Sequence, residues 1–308
     1  MEFLRLLAAI RNPVLDQIMV IISMIGTPFV VVAIIGWFYL NVDKDEAYGM
    51  GLSFCFSCLL CQAVKVVVRM PRPWNLDTTF EPVEKAVGSA TGYSFPSIHS
   101  QSVASLGASY FHYNKKNRIG RIISVVLIVL VAFSRMYLGV HTPLDVAAGV
   151  GAGLVITAIV WHFWNKVRKE RRHADMFAFF LIAFAAMLIF LTAALLYNGT
   201  IDYTNASDSF KTAGVALGFS IALIVEPRWI KFSTEGSLLK KLLRFAIGLG
   251  AVLLVTFLMK KLPGAESIPM LVIRYTVMLL MIFVLAPIIF VKTGLMKKAE
   301  TPYRTPEI

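Results

Sequence analysis

The chain has 308 residues, of which 57% are hydrophobic and only 16% charged, and its mean hydropathy is +0.72. Soluble domains carry about a quarter of charged residues, so this balance excludes a water-soluble globular enzyme and a disordered chain and leaves a polytopic membrane protein. The formal net charge of +12 would suit nucleic acid in a soluble chain. In a membrane chain it reads as cationic loops on one side, with an anionic substrate as a second demand, and no nucleic acid is expected.

Residues 1–10 are apolar with two charges, and no small-residue cleavage site follows them. They read as a short interfacial helix rather than a signal peptide. Apolar runs then recur as nine spans, near 18–40, 47–67, 97–113, 119–138, 143–164, 176–197, 211–226, 242–260 and 270–291. The expected fold is an all-α polytopic bundle of about nine transmembrane helices. Alternate loops form two sets. One set holds 19 Lys and Arg, in clusters around Lys115, Lys166, Arg168, Lys169, Arg171, Arg172, Lys240, Lys297 and Arg304; the other holds seven. The basic set is expected in the cytoplasm with the C-terminus, and the N-terminus and the loop 68–96 outside or in a lumen.

Three stretches interrupt the apolar pattern with ionisable residues. The first is Lys65-Val-Val-Val-Arg69-Met-Pro-Arg72-Pro73. The second is Gly92-Tyr-Ser94-Phe-Pro96-Ser97-Ile98-His99. The third is Ser134-Arg135-Met-Tyr-Leu-Gly-Val-His141-Thr-Pro143-Leu-Asp145. The topology puts all three on one face, and short turns make spans three, four and five neighbours. Lys65, Arg72 and Arg135 are cations that are costly near lipid unless they share an anion. Guanidinium forks suit phosphate oxygens. Ser97 and the free N–H groups at the start of span three, Ile98 among them, point at the same anion. His141 and Asp145 lie four apart across a helix start and share a face. Asp145, or a carbonyl, can hold one ring nitrogen of His141 and leave the other as a nucleophile. His99 adds an acid and base. Together these groups supply what metal-free phosphoryl transfer requires.

These stretches resemble the three signature motifs of the type-2 phosphatidic acid phosphatase superfamily, which also includes the vanadium haloperoxidases. The pattern is Lys-x6-Arg-Pro, Pro-Ser-x-His and Ser-Arg-x5-His-x3-Asp, and every defined position is present in order. The resemblance implies a phosphohistidine on His141, oriented by Asp145. It implies that His99 protonates the leaving alkoxide and then activates water. It also implies a phosphate cradle of Lys65, Arg72, Ser97, Ile98 and Arg135, with no metal and no cofactor. The family usually has Gly where Ile98 stands, which puts the pocket's shape in question while keeping the N–H. By motif the resemblance covers 65–145. Residues 1–165 are therefore expected to form the phosphatase core, and 166–308 an additional membrane region of four helices.

Other features read more plainly. Cys55, Cys58 and Cys61 sit mid-span and are expected to pack. His112, His162 and His173 lie at helix ends. Arg274 is expected to snorkel, Lys211 to anchor the outer end of span seven, Ser134 to serve helix packing, and the loop 68–96 to form a rim over the site. The reading is an integral-membrane phosphatase for a lipid phosphate monoester, locally most like the sphingoid-base phosphate phosphatase branch. The enzymatic alternatives are an undecaprenyl diphosphate phosphatase and a glucose-6-phosphatase-like enzyme. A transporter or silent binding protein is the alternative of another class. Against it, the few charges of spans six to nine lie near span ends rather than at a midplane site.

Overall fold

The protein is described here by a computed structural model covering residues 1–167 and 171–299. Arg168, Lys169 and Arg304 lie outside the described residues, as do the side chains of Val167, Arg171, Arg172 and His173. The described residues are almost entirely helical. In chain order the helices are α1 (Glu2–Ala9), α2 (Pro13–Ile25), α3 (Pro28–Asn41), α4 (Lys44–Val68), α5 (Pro73–Leu76), α6 (Glu84–Val87), α7 (Ile98–Tyr113), α8 (Arg118–Tyr137), α9 (Pro143–Val167), α10 (Arg171–Tyr197), α11 (Tyr203–Val225), α12 (Leu238–Lys260), α13 (Ile268–Leu280) and α14 (Ala286–Lys292). π-turns extend α11 through Glu226–Ile230 and join α13 to α14 through Met281–Leu285.

The polar breaks between apolar runs start the helices. Asn12, Asp43, Ser97, Asn117, Asp202 and Ser237 each accept a backbone N–H of the following first turn. Pro13, Pro28 and Pro143 occupy first-turn positions, where no N–H is needed.

Each of the nine expected spans corresponds to a helix or a helix pair, but not all nine have the length and apolarity of a crossing. Seven described helices do, and the count is eight if α2 and α3 form one span bent by 48°. The bend falls at Gly26–Thr27, before Pro28. A Cβ on Gly26 would lie 2.8 Å from the carbonyl oxygen of His99, so the break lets the chain pass close to α7. The remaining span is α7, with 16 residues, and Ser100, Gln101, Ser102, Ser105 and Ser109 on it are buried. It packs among α3, α4, α8 and α9. A helix surrounded by protein needs neither the length nor the apolarity of one facing lipid.

Close helix contacts use small residues. A Cβ on Gly149 or Gly153 of α9 would meet the carbonyl oxygens of Ser97 and Gln101 at 2.4 and 2.6 Å, which seats α7 directly on α9. Gly214 and Gly218 of α11 do the same against the carbonyls of Val272 and Thr276 on α13. One apolar core runs through both parts of the chain. It joins Tyr39, Tyr48 and Trp164 to Phe219 and Phe283, and the Tyr39 hydroxyl donates to the Phe283 carbonyl at 2.7 Å.

The loops fall on two faces, as alternating spans require. On one face Arg5 pairs with Asp77 at 2.6 Å, Arg11 donates to the carbonyls of Glu81 and Tyr137, and Tyr203 donates to the carbonyl of Glu266. On the other, Lys44 and Tyr48 share the buried Glu226 at 2.7 and 2.9 Å. Arg274 does not snorkel. It is buried and reaches back to the Ala265 carbonyl and the Glu266 carboxylate, closing the loop before α13. The tertiary fold brings the loop to it, which spacing along the chain could not show.

Candidate active site

The last turn of α4, the loop 68–96, the start of α7 and the turn from α8 to α9 meet on the first of these faces. Around them lies a cavity of about 300 Å³, the lower end of ligand-site sizes. Lys65, Arg72, Ile98, His99 and His141 line it. Ser97, Arg135 and Asp145 are also buried but stand behind the lining.

The loop 68–96 fixes the two foremost cations through its backbone. Lys65 Nζ donates to the carbonyl of Tyr93, and to that of Ser94 at 3.3 Å. Arg72 donates to the carbonyls of Thr91, Gly92 and Val140 at 2.6, 3.0 and 3.0 Å. This gives the loop a defined part: its carbonyls aim the cations. Arg69 instead caps α4 in the left-handed conformation and faces solvent. Ser134 bonds within its own helix to the Val131 carbonyl at 2.7 Å.

His141 sits between Arg72 and Asp145. Arg72 Nη1 lies 2.9 Å from His141 Nε2. A guanidinium only donates, so Nε2 accepts and the ring proton belongs on Nδ1. Nδ1 faces Asp145 Oδ2 and the Ser94 hydroxyl, each at 3.5 Å. Asp145 Oδ2 is itself held by the Ser94 hydroxyl at 2.6 Å and by the Thr142 N–H at 2.7 Å. Burial, and next the charges of Arg72, Arg135 and Lys65, push the His141 pKa well below the ordinary histidine value. The ring is therefore neutral, with its Nε2 lone pair accepting from Arg72.

Several buried polar atoms have no partner: His99 Nε2, Arg135 Nε and Nη2, and Asp145 Oδ1. Arg135 Nη1 donates to Ser23 at 2.6 Å and, at 3.4 Å, to Ser89. Unfilled capacity on buried ionisable groups is costly unless a ligand completes it. Ser97 caps α7 by accepting the N–H of Ser100, and its own N–H is held by the Asp145 carbonyl at 2.9 Å, so the motifs are stitched together by backbone as well.

Sequence reading missed several participants. Ser94 lies inside the second stretch but had no assigned part. Cys55 and Cys58, expected only to pack, are buried free thiols that line the cavity floor with Phe54. Lys211, expected as an anchor, lines the cavity with Asp208, Thr212, Val215 and Tyr275. A carboxylate and an ammonium three apart on the outer part of an apolar span were the available signal. Of the remaining histidines, His112 stacks on Trp161 and His162 contacts Lys166, both away from the cavity. Among the described residues no three His, Cys, Asp or Glu side chains are arranged to hold a metal ion.

The chain is also similar to known proteins. The family model described as "PAP2 superfamily" matches residues 46–169, and "PAP2 superfamily phosphatase, transmembrane extension" matches 210–298. The chain is similar to the mouse protein named sphingosine-1-phosphate phosphatase 2, at 26% identity over 72% of this chain and 66% of that protein. It is similar to phosphatidylglycerophosphatase B of Bacillus subtilis, at 31% identity over 53% of this chain and 82% of that protein. It is also similar to an undecaprenyl-diphosphatase of Sulfolobus acidocaldarius, at 30% identity over 48% of this chain and 70% of that one.

Proposed function

The chain belongs to the PAP2 superfamily, and from that premise we propose that it is an integral-membrane phosphatase that hydrolyses a lipid phosphate monoester through a phosphohistidine on His141. The observation that carries this reading is the neutral His141, its Nε2 at Arg72 and its Nδ1 toward Asp145, beside a cavity shared with Lys65 and His99.

In the first step His141 Nε2 forms the bond to phosphorus as the bond to the lipid oxygen breaks. His99 gives its proton to the leaving alkoxide. Asp145 orients His141 and stabilises the charge it gains. In the second step His99 takes a proton from water, water oxygen attacks phosphorus, and His141 leaves. Lys65, Arg72, Arg135, the Ser97 hydroxyl and the Ile98 N–H hold the phosphoryl oxygens throughout. These cations carry the charge stabilisation that a metal ion supplies in other phosphatases, so the reaction proceeds without one. The site faces outside or into a lumen, on the strength of the Lys and Arg bias. The division into a core, 1–165, and an added region, 166–308, is supported by the two separate family matches.

The experiment is phosphate release from purified protein in detergent, with excess EDTA, over long-chain alkyl phosphates, phosphatidic acid, sphingoid phosphates, isoprenyl diphosphates and glucose 6-phosphate. Turnover of a lipid monoester and a base-stable, acid-labile phosphoprotein support the reading. A strict Mg²⁺ requirement, or no release from any monoester, refutes it.

A further inference from the structure

One wall of the cavity comes from neither the motifs nor the phosphatase core. Asp208, Lys211, Thr212 and Val215 of α11 and Tyr275 of α13 form it. Lys211 Nζ donates to Asp208 Oδ1 at 2.7 Å. The Thr91 hydroxyl donates to Asp208 Oδ2, and the Thr91 carbonyl receives Arg72 at 2.6 Å. The added region is thereby hydrogen-bonded, through one threonine, to the phosphate cradle. The side chains of Asp208 and Lys211 remain 23% and 27% exposed, so both keep open surface at the cavity.

A carboxylate beside a phosphate cradle opposes anion binding, so its presence needs a reason. With one donor on each oxygen, Asp208 retains lone pairs that only a further donor can fill. Lys211 retains N–H groups that only an acceptor can fill. A plain alkyl chain against this pair would desolvate both charges without replacing their hydrogen bonds. A second phosphate group would meet the carboxylate's repulsion.

We propose that Asp208 and Lys211 are specificity determinants that read a hydrogen-bonding substituent, a hydroxyl or an amine, carried next to the phosphate ester of the lipid. This rests on the phosphatase reading above. A hydroxyl donates to Asp208 and accepts from Lys211. An amine donates to Asp208 as a cation.

The test measures kcat/KM in detergent for hexadecyl phosphate, 2-hydroxyhexadecyl phosphate, 2-aminohexadecyl phosphate and farnesyl diphosphate. It compares the full chain with Asp208→Asn and Lys211→Gln, each checked for an unchanged thermal transition. Asn keeps the acceptor for Thr91 and removes the charge, which separates substrate reading from support of Arg72. The expected result is that the native protein prefers a substituted monoester over the plain one. In Asp208→Asn that preference falls ten- to a hundredfold, the range of one charge-assisted hydrogen bond, and the ratio of diphosphate to monoester turnover rises. Loss of the amine's advantage in Asp208→Asn, or of the hydroxyl's in Lys211→Gln, identifies which group is read, and either supports the proposal. Equal losses on all four substrates would make Asp208 a support for Thr91 alone and overturn it. So would unchanged ratios, or a best substrate that is a diphosphate dependent on Lys211. Absence of phosphate release by the native protein would sink the phosphatase reading itself, a separate result from altered ratios.

Discussion

The segment around α7, α8 and α9 and the segment around α11, α12 and α13 are built by the same packing device and differ in how they treat charge. In each, two glycines four apart let one helix lie on its neighbour's carbonyls, Gly149 and Gly153 in the first and Gly214 and Gly218 in the second. In the second segment two buried ions are taken up by structure. Glu226 receives Lys44 and Tyr48, and Arg244 donates to the carbonyls of Thr234, Glu235 and Leu295. In the first, His99, Arg135 and Asp145 each keep a buried atom without a partner. Burial of charge is common to both regions; in the first, the open hydrogen-bond capacity falls on three motif residues clustered at one cavity.

The strongest way to break this contrast is at His141. His141→Ala removes the attacking nitrogen, so turnover and the phosphoprotein both disappear. Retention of a phosphoprotein would place the nucleophile elsewhere. His99→Ala costs of order 10²–10⁴ in turnover of an alkyl phosphate, whose leaving oxygen needs a proton. With p-nitrophenyl phosphate the first step recovers in His99→Ala but not in His141→Ala, and slow hydrolysis lets the phosphoprotein accumulate. Identical behaviour of the two variants on both substrates contradicts the assigned roles.

Glycine replacement compares the two regions directly. Gly149→Val drives a side chain into the carbonyl of Ser97, and Gly214→Val does the same at Val272. Each costs roughly 1–3 kcal/mol by overpacking, seen as a lower unfolding temperature in detergent. Gly149→Val also moves the start of α7, so its turnover falls tenfold or more on every substrate. Gly214→Val displaces the wall bearing Asp208, so its substrate ratios change more than its overall rate. The opposite pattern would reverse the parts assigned to the two segments.

The pH dependence is a finer probe. The pKa of His141 is depressed, so the neutral nucleophile persists as pH falls through the usual histidine value of about 6.5 and is lost only below it. Single-turnover phosphorylation by p-nitrophenyl phosphate is expected to stay level from about pH 8 to 6.5, and a midpoint inside that window contradicts the geometry. The smallest effect is at Arg69, exposed and outside the cradle. Arg69→Ala changes turnover less than about twofold, as for surface substitutions; a larger loss would move Arg69 into the site.

Much of the core was legible because its chemistry is written in local order. Lys65, Arg72, His99, Arg135, His141 and Asp145 are ionisable residues in apolar surroundings, where charge is too costly to be incidental. Apolar runs of the right length determined the all-helical class and helix positions. The number of helices fit to cross was not determined, because α7 resembles a span in sequence yet is enclosed by other helices and carries buried serines. The bend between α2 and α3 likewise answers to the carbonyl of His99, a contact far off in the chain.

What the sequence alone determined, then, was the fold class, the motif residues and the kind of anion they suit, since each follows from residue type and short spacing. The tertiary structure decided what lies opposite them. Lys211 reads as a membrane anchor until α11 is placed across the cavity, and Asp208 gains its part only when Thr91 is seen to join it to Arg72. Ser94 gains its part only when the loop folds back to Asp145. Such pairings depend on distance in space between segments that share no periodicity, and helix packing alone sets that distance.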